Sequence, residues 1–316
     1  MTPPPERLLL LDTASLYFRA FFGVPDTVVA PDGSPINAVR GLLDMIARLT
    51  AEFEPTAIVA CWDDDWRPEW RVALIPTYKT HRVAAPAATD ADPAIETVPD
   101  PLSAQVPIIR DVLAALGIPI IGAAQHEADD VIGTLASHAA IPVDIVTGDR
   151  DLFQLVDDSR GVRVIYTGRG MSRLEILTDA ALTAKTGVTP AQYADFAALR
   201  GDASDGLPGV AGVGEKTAAT LLADYGDLAG IAAAAADPDR PMGASVRAKL
   251  LAATDYLRVA PMVVNVVRTL DLPSFDARIR SHTAAQITEL ERLSAQWGLA
   301  SSLTRARTAL AARTRG

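Results

Sequence analysis

Four short apolar runs in the first half of the chain each give out near an acidic residue. Leu8 to Leu11 stops at Asp12, Thr56 to Trp62 at Asp63, Val143 to Thr147 just before Asp149, and Ile118 to Ile121 a few residues before Glu127. Runs this short and continuous read as strands buried on both faces. Helix-like segments separate them. Asn37 to Phe53 sets Val39, Leu42, Leu43, Ile46 and Leu49 at helical spacing; Leu102 to Leu116 does the same with Val106, Ile109, Val112, Leu113 and Leu116, and Gly117 stops it. Thr13 to Phe22 and Glu127 to His138 also read as helices, and Val162 to Tyr166 and Leu174 to Leu177 as further strands. Strands alternating with helices imply right-handed βαβ units and an α/β fold with a mostly parallel sheet. Ligands of such sheets bind at the carboxyl ends of the strands, where these acids fall.

Beyond Asp179 the pattern turns helical, with Ala191 to Leu199, Lys216 to Asp224, Ala244 to Leu257 and Ile287 to Trp297 as candidates. A boundary near 180 divides the 316 residues into a sheet-bearing region, 1–180, and a helical region, 181–316. Val83 to Pro101 is rich in Ala, Pro and Asp, and its prolines forbid one long helix. It reads as an insertion or a mobile loop. The single cysteine, Cys61, excludes a disulfide framework and a cysteine zinc site, and it fits a reducing cytoplasm. No apolar run is long enough to span a membrane, and the N-terminus is not a secretory signal. The net charge of −10 argues against a nucleic-acid binder unless many acids share one metal-filled pocket. Setting nine of the 39 acids aside leaves 30 against 29 basic residues.

Three acidic groupings stand out: Glu127-Ala128-Asp129-Asp130, Asp149-Arg150-Asp151 and Asp202-Ala203-Ser204-Asp205. Glu127 and Asp130 share a helix face, and Asp202 and Asp205 have the same spacing in a Gly-flanked turn. A lone acid at a helix start more often caps the helix than binds a ligand. Here five acidic segments reach one edge of one sheet. Uncompensated, they would repel and raise one another's pKa values. Hard divalent cations such as Mg²⁺ and Mn²⁺ remove that problem, and a pair of them is a recurrent device for phosphodiester hydrolysis.

In combination the motifs resemble the 5′ nucleases, which include flap endonucleases and the 5′–3′ exonuclease domains of bacterial DNA polymerase I. They are Leu11-Asp12, Trp62-Asp63, Tyr78-Lys79-Thr80-His81-Arg82, Glu127-Ala128-Asp129-Asp130, Thr147-Gly148-Asp149-Arg150-Asp151-Leu152 and Gly201-Asp202-Ala203-Ser204-Asp205-Gly206-Leu207-Pro208-Gly209-Val210. The resemblance runs from Leu8 to about Thr269. It implies a PIN-like core, a helical arch at about 64–101 and a C-terminal helix–hairpin–helix region. By the same resemblance, Asp12, Asp63, Glu127, Asp129 and Asp130 would serve one metal, and Asp149, Asp151, Asp202 and Asp205 the second. Lys79 and Arg82 would contact the scissile phosphate, Arg71 would support them, and Tyr78 would stack near the unpaired terminal base. Trp62 and Trp70 read equally well as packing on the sheet. Asp64 and Asp65, extra to the family pattern, are expected to face solvent.

Gly209-Val210-Ala211-Gly212-Val213-Gly214-Glu215-Lys216-Thr217 misses the P-loop pattern by one residue, because Glu215 separates Gly214 from Lys216. It reads instead as a helix–hairpin–helix turn. Gly209, Gly212 and Gly214 would let the backbone approach a DNA phosphate, Lys216 and Thr217 would add contacts, and Val210 and Val213 would anchor the hairpin. In the family this motif often carries a K⁺. Gly206 stands where the family usually has Asn, so altered rigidity with metal binding retained is expected. The expected protein is a monomeric, cytoplasmic, nucleoid-associated enzyme without a nucleotide cofactor or a membrane partner. It would act, with no polymerase module, on flap, nicked or 5′-end junction DNA in replication and repair. Two rivals stand beside it: a single-strand PIN-type ribonuclease, and a non-catalytic DNA-junction-binding protein.

Overall fold

A computed structural model describes residues 6–85 and 95–314 of the chain. Its centre is a six-stranded sheet built from β1 (Leu8–Asp12), β2 (Ala57–Cys61), β5 (Ile120–Ile121), β6 (Val143–Thr147), β7 (Val162–Tyr166) and β8 (Glu175–Leu177), in the order β5-β2-β1-β6-β7-β8. All pairs are parallel except β7 with β8. The separate pair β3 (Val83–Ala85) and β4 (Ile95–Glu96) forms an antiparallel ribbon.

The strand alternation explains why the apolar runs are unbroken. Leu8 and Leu10 enter the core on one face, with Val59, Ile145 and Val164. Leu9 and Leu11 enter the core on the other, with Ile58, Val146 and Ile165. Each leucine so buried contributes about 1.5–3 kcal/mol relative to exposure. The chain lays β2 and β5 on one side of β1 and then crosses to β6 on the other. Strand order therefore reverses beside β1, and a crevice opens at the carboxyl ends of β1 and β6.

Several elements differ from expectation. Between 64 and 101 the described residues form a six-residue helix (Glu69–Leu74), a 3₁₀ turn (Thr80–Arg82), the β3–β4 ribbon and a four-residue helix (Asp100–Ser103), in place of a helical arch. Pro68, Pro76, Pro99 and Pro101 punctuate the described parts of this stretch and keep their helices short. The middle of the Ala-Pro-Asp-rich stretch, 86–94, lies outside the described residues. The helices Ala284–Trp297 and Ala300–Arg313 do not stay with the helical region. Leu290, Leu293, Leu303 and Leu310 pack into the core beside Leu42, Leu43 and Ile46 of the helix Asn37–Phe53. Arg305 pairs with Asp44 at 2.7 Å and Arg313 with Glu54 at 3.1 Å across the same contact.

Candidate active site

The crevice holds a cavity of about 570 Å³. Six of the nine expected carboxylates line it: Asp12, Asp63, Glu127, Asp129, Asp149 and Asp202. They arrive from five local structures, Glu127 and Asp129 sharing the start of the helix Ala128–His138. Asp12 ends β1 and caps the following helix, Thr13–Gly23, accepting from Ser15 N at 3.3 Å. Its other oxygen accepts from the Thr147 hydroxyl at 2.6 Å, and that hydroxyl accepts from Asp149 N at 2.8 Å, so one threonine ties the ends of β1 and β6 together. Asp63 accepts from Ala128 N at 2.7 Å, at the start of the helix Ala128–His138. Asp12 and Asp63 thus cap helices and face the cavity at once.

The other three sit differently. Asp130 is fully buried, and its two oxygens take Arg71 Nη2 at 2.7 Å, Arg71 Nη1 at 2.9 Å and Val267 N at 2.8 Å. Asp205 accepts from Arg82 at 3.2 Å. Asp151 begins a 3₁₀ helix, Asp151–Leu155, and its Oδ1 is buried without a hydrogen-bond partner.

Burial governs the electrostatics. It pushes the Asp12 carboxyl up to about 7, and repulsion from Asp63 and Asp149 adds to the effect. Asp129 and Asp151 are driven well above the usual carboxylate range by burial first and by Asp149 next. Among the described residues, Asp129 accepts no hydrogen bond, and no three acidic, His or Cys side chains close on one point tightly enough to cage an ion unaided. The acids stand around the wall of a cavity instead. That suits Mg²⁺, which keeps several waters and takes only one or two carboxylates from the protein. An all-oxygen donor set, an uncommitted Asp129, an orphaned Asp151 oxygen and mutual repulsion together fit hard divalent cations.

The basic segment is half inside this site. Lys79 and Arg82 line the cavity. Lys79 Nζ meets Glu127 Oε1 at 2.5 Å. Arg71 does not reach the cavity: its side chain is 2% exposed and bridges Glu127 and Asp130. Tyr78 is buried as well and donates its hydroxyl to Glu127 Oε2 at 2.7 Å, so its ring offers no stacking face in this conformation. Trp62 packs in the core beside Tyr17, and Trp70 donates to Gln125 O at 3.1 Å. Asp64 is exposed, while Asp65 accepts from Arg67 N at 3.1 Å.

Sequence reasoning missed Glu96, Arg150, Ser15 and Tyr17, which also line the cavity. Arg150 and Ser15 lie beside or inside quoted motifs. Glu96 has no local signal, because only the β3–β4 pairing brings it over the crevice.

In the helical region Val210 and Val213 are buried and anchor the hairpin. Gly209 and Gly212 take left-handed backbone, at φ +65° and +72°. Gly214 caps the helix Glu215–Tyr225, with Lys216 exposed and Thr217 half-buried in its first turn. Lys249 donates to Gly212 O at 3.1 Å, so one hairpin carbonyl already faces an ammonium.

The 5′-3′ exonuclease N-terminal resolvase-like domain matches residues 7–187, and the 5′-3′ exonuclease C-terminal SAM fold matches 188–286. These assignments overturn the PIN-like expectation. The mixed, mostly parallel sheet is of the resolvase-like 5′ nuclease type, joined to a SAM-fold region that carries the hairpin. A 5′-3′ exonuclease of Streptomyces coelicolor is 58% identical over 96% of this chain and 100% of its own length. One from Mycobacterium tuberculosis is 47% identical over 96% and 97%. DNA polymerase I of Mycobacterium bovis is 39% identical over 90% of this chain but only 30% of the polymerase. Among solved structures, T5 5′-exonuclease with bound zinc shares the fold at a TM-score of 0.64 and 16% identity, covering 97% of this chain and 99% of its own. The catalytic core of Rad2 in complex with DNA substrate does so at 0.58 and 17%, covering 98% and 93%. A sheet whose strand ends gather acids around one cavity, continued by a buried-valine hairpin, thus meets family matches along most of its length, and the chain belongs to the 5′-3′ exonuclease family.

Proposed function

We propose that this chain is a structure-specific, divalent-metal-dependent 5′ nuclease that hydrolyses DNA phosphodiesters near single-strand/duplex junctions. The observation that carries the reading is the convergence of six carboxylates with Lys79 and Arg82 on one cavity beside the hairpin-bearing region. Asp12, Asp63, Asp129, Asp149 and Asp202 would hold Mg²⁺ or Mn²⁺, with Glu127 and Asp151 behind them. When bound, a pair of such ions supplies Lewis acidity at the scissile phosphate and activates a water. The chain's own groups do the rest. Lys79 and Arg82 draw the phosphate in and offset the charge that builds on its oxygens. Water adds to phosphorus, the bond to the 3′ oxygen breaks, and 5′-phosphate and 3′-hydroxyl ends result. Gly209, Gly212 and Gly214 bring backbone close to duplex phosphates, and Lys216 and Thr217 add contacts there. A K⁺ at the hairpin would be held by its backbone carbonyls, of which Gly212 O already accepts from Lys249. The proposed setting is the cytoplasm, at the nucleoid, with the enzyme acting as a monomer in replication and repair.

Flap, nicked and single-stranded DNA, end-labelled and incubated with Mg²⁺, Mn²⁺ or EDTA, test this directly. Cleavage is expected on flap and nicked DNA with either metal and none with EDTA; metal-independent cutting would refute the reading. Mg²⁺ is also expected to raise the thermal midpoint, because it binds the folded carboxylates and not the unfolded chain. The gain should be larger at pH 8 than at pH 6. Protons held by Asp12, pushed up to about 7, compete with the cation below that pH. Binding of flap DNA should weaken steeply with salt, and Arg82→Ala should lower the log–log salt slope by about one. Arg71→Ala should leave that slope unchanged, since its guanidinium is committed to Glu127 and Asp130.

A further inference from the structure

The segment that carries Lys79 and Arg82 meets the loop that carries Asp202 and Asp205 along a seam of hydrogen bonds, three of which end on main-chain carbonyls of the loop. Lys79 N donates to Asp205 O at 3.0 Å. The Thr77 hydroxyl donates to Gly206 O at 2.7 Å. Arg82 Nη2 donates to Ser204 O at 3.0 Å and to Asp205 Oδ1 at 3.2 Å. Gly206 lies at the middle of the seam, with φ +70°. A Cβ on it would stand 2.1 Å from Thr77 O, 3.0 Å from Thr77 C and 3.3 Å from Lys79 N. The nearest atom is a main-chain carbonyl, which cannot rotate out of the way as a side chain would. With the segments seated as they are in this chain, a side chain at 206, the Asn usual in the family included, would have to push them apart.

Lys79 shows what the seam holds in place. It adopts φ +49°, a left-handed conformation that strains a residue with a Cβ. Such a residue persists only where its surroundings fix it. Here its amide is held by Asp205 O and its ammonium by Glu127.

We propose that Gly206 is a positioning residue for the 5′ nuclease reaction: lacking a side chain, it lets the two segments seat on each other and so sets Lys79 and Arg82 against the carboxylates of the cavity. The inference rests on the nuclease reading above and deepens it, because the seat makes the phosphate-binding cations and the Asp202–Asp205 loop one mechanical unit. A shift of that unit moves charge relative to the scissile phosphate, and small misplacements of this kind are expensive.

Gly206→Ala and Gly206→Asn in the full chain test the proposal. Asn tolerates left-handed backbone, so an equal loss in both variants assigns the effect to the added Cβ and not to φ. The expected result is a fall in kcat on 5′-flap DNA of about 10- to 100-fold. In a Lys79→Ala background the same substitution should cost several-fold less than in the wild-type chain, because one of the two groups it positions is gone and only Arg82 remains to be misplaced. Amide hydrogen exchange supplies a readout independent of activity. Exchange over residues 77–82 should accelerate while Val143–Thr147 keeps its protection. Thr77→Ala removes one bond of the seam without adding a clash, and it gives the same exchange readout at smaller amplitude should neither Gly206 variant fold. Wild-type kcat with unchanged exchange at Lys79 overturns the proposal, and so does a fully multiplicative loss in the Lys79→Ala background. If Lys79→Ala alone cuts at the wild-type rate, the nuclease role of Lys79 falls instead, and the exchange arm still decides the seat.

Discussion

Asp149→Asn is expected to lower cleavage of flap DNA by at least about 10²- to 10³-fold while leaving junction binding within a few-fold of wild type. Asp149 lies on the cavity wall two residues beyond β6. Its Oδ1 accepts from Asp151 N at 2.9 Å, a bond the amide oxygen of Asn can still accept. The substitution therefore keeps shape and local hydrogen bonding and removes charge. In the metal-free fold that charge is a burden: burial, and then Asp205, raise the Asp149 pKa. Removing it should leave stability equal or slightly improved. Only a state that places cations against the carboxylate loses by the change. Fluorescence anisotropy with labelled flap DNA in EDTA reads binding, and single-turnover cleavage in Mg²⁺ reads chemistry. Cleavage at the wild-type rate would remove Asp149 from the site.

The contrast between what the sequence discloses about the fold and what it hides follows from the range of the interactions. β1 is legible because Leu8 to Leu11 must be apolar on both faces, a demand visible within four residues. The helix Leu228–Ala236 is not among the helices expected from the sequence, although alanine is the best helix former and Asp227 caps it by accepting from Gly230 N at 2.7 Å. Ala244 to Leu257 reads as one helix but divides at Ala253, giving Ala244–Ala252 and Thr254–Val264. Nothing local marks that break. The helix Ala300–Arg313 escapes notice because its buried stripe of Leu303, Ala306 and Leu310 is thin and gains its meaning only against Asn37–Phe53.

The site divides along the same line. Asp12, Asp63 and Asp149 are legible because parallel topology alone brings the ends of β1, β2 and β6 to one rim. Which carboxylates are already spent on the protein is not legible. Asp130 and Arg71 are 59 positions apart, and both sit inside motifs that suggest metal and phosphate. Only their meeting shows that each satisfies the other. Tyr78 is the same case: a tyrosine beside two cations suggests stacking, yet its hydroxyl is fixed on Glu127.

That buried network makes Arg71→Ala the most destabilising single substitution expected here, at about 3–5 kcal/mol. Arg71 Nη1 reaches Glu127 Oε2 at 2.8 Å, Nη2 reaches Asp130 Oδ1 at 2.7 Å, and Nε donates to Val263 O at 3.2 Å. Truncation leaves Asp130 fully buried with its cation gone and Glu127 with Lys79 alone, and desolvation of the orphaned Asp130 charge then dominates. Arg71→Lys should recover only part of the loss, since one ammonium cannot make a bidentate contact with Asp130 and still reach Glu127 and the Val263 carbonyl. Arg71→Ala together with Asp130→Asn should be less damaging than Arg71→Ala alone, because one orphaned charge is removed. Urea denaturation midpoints of the three variants read the order directly. Cleavage should fall too, through Glu127, which loses one of the three groups that orient it while Tyr78 and Lys79 remain. A phosphate contact by Arg71 predicts the opposite pattern: stability near wild type, weaker DNA binding and a shallower salt slope. Observing that pattern would move Arg71 from beneath the site to its surface.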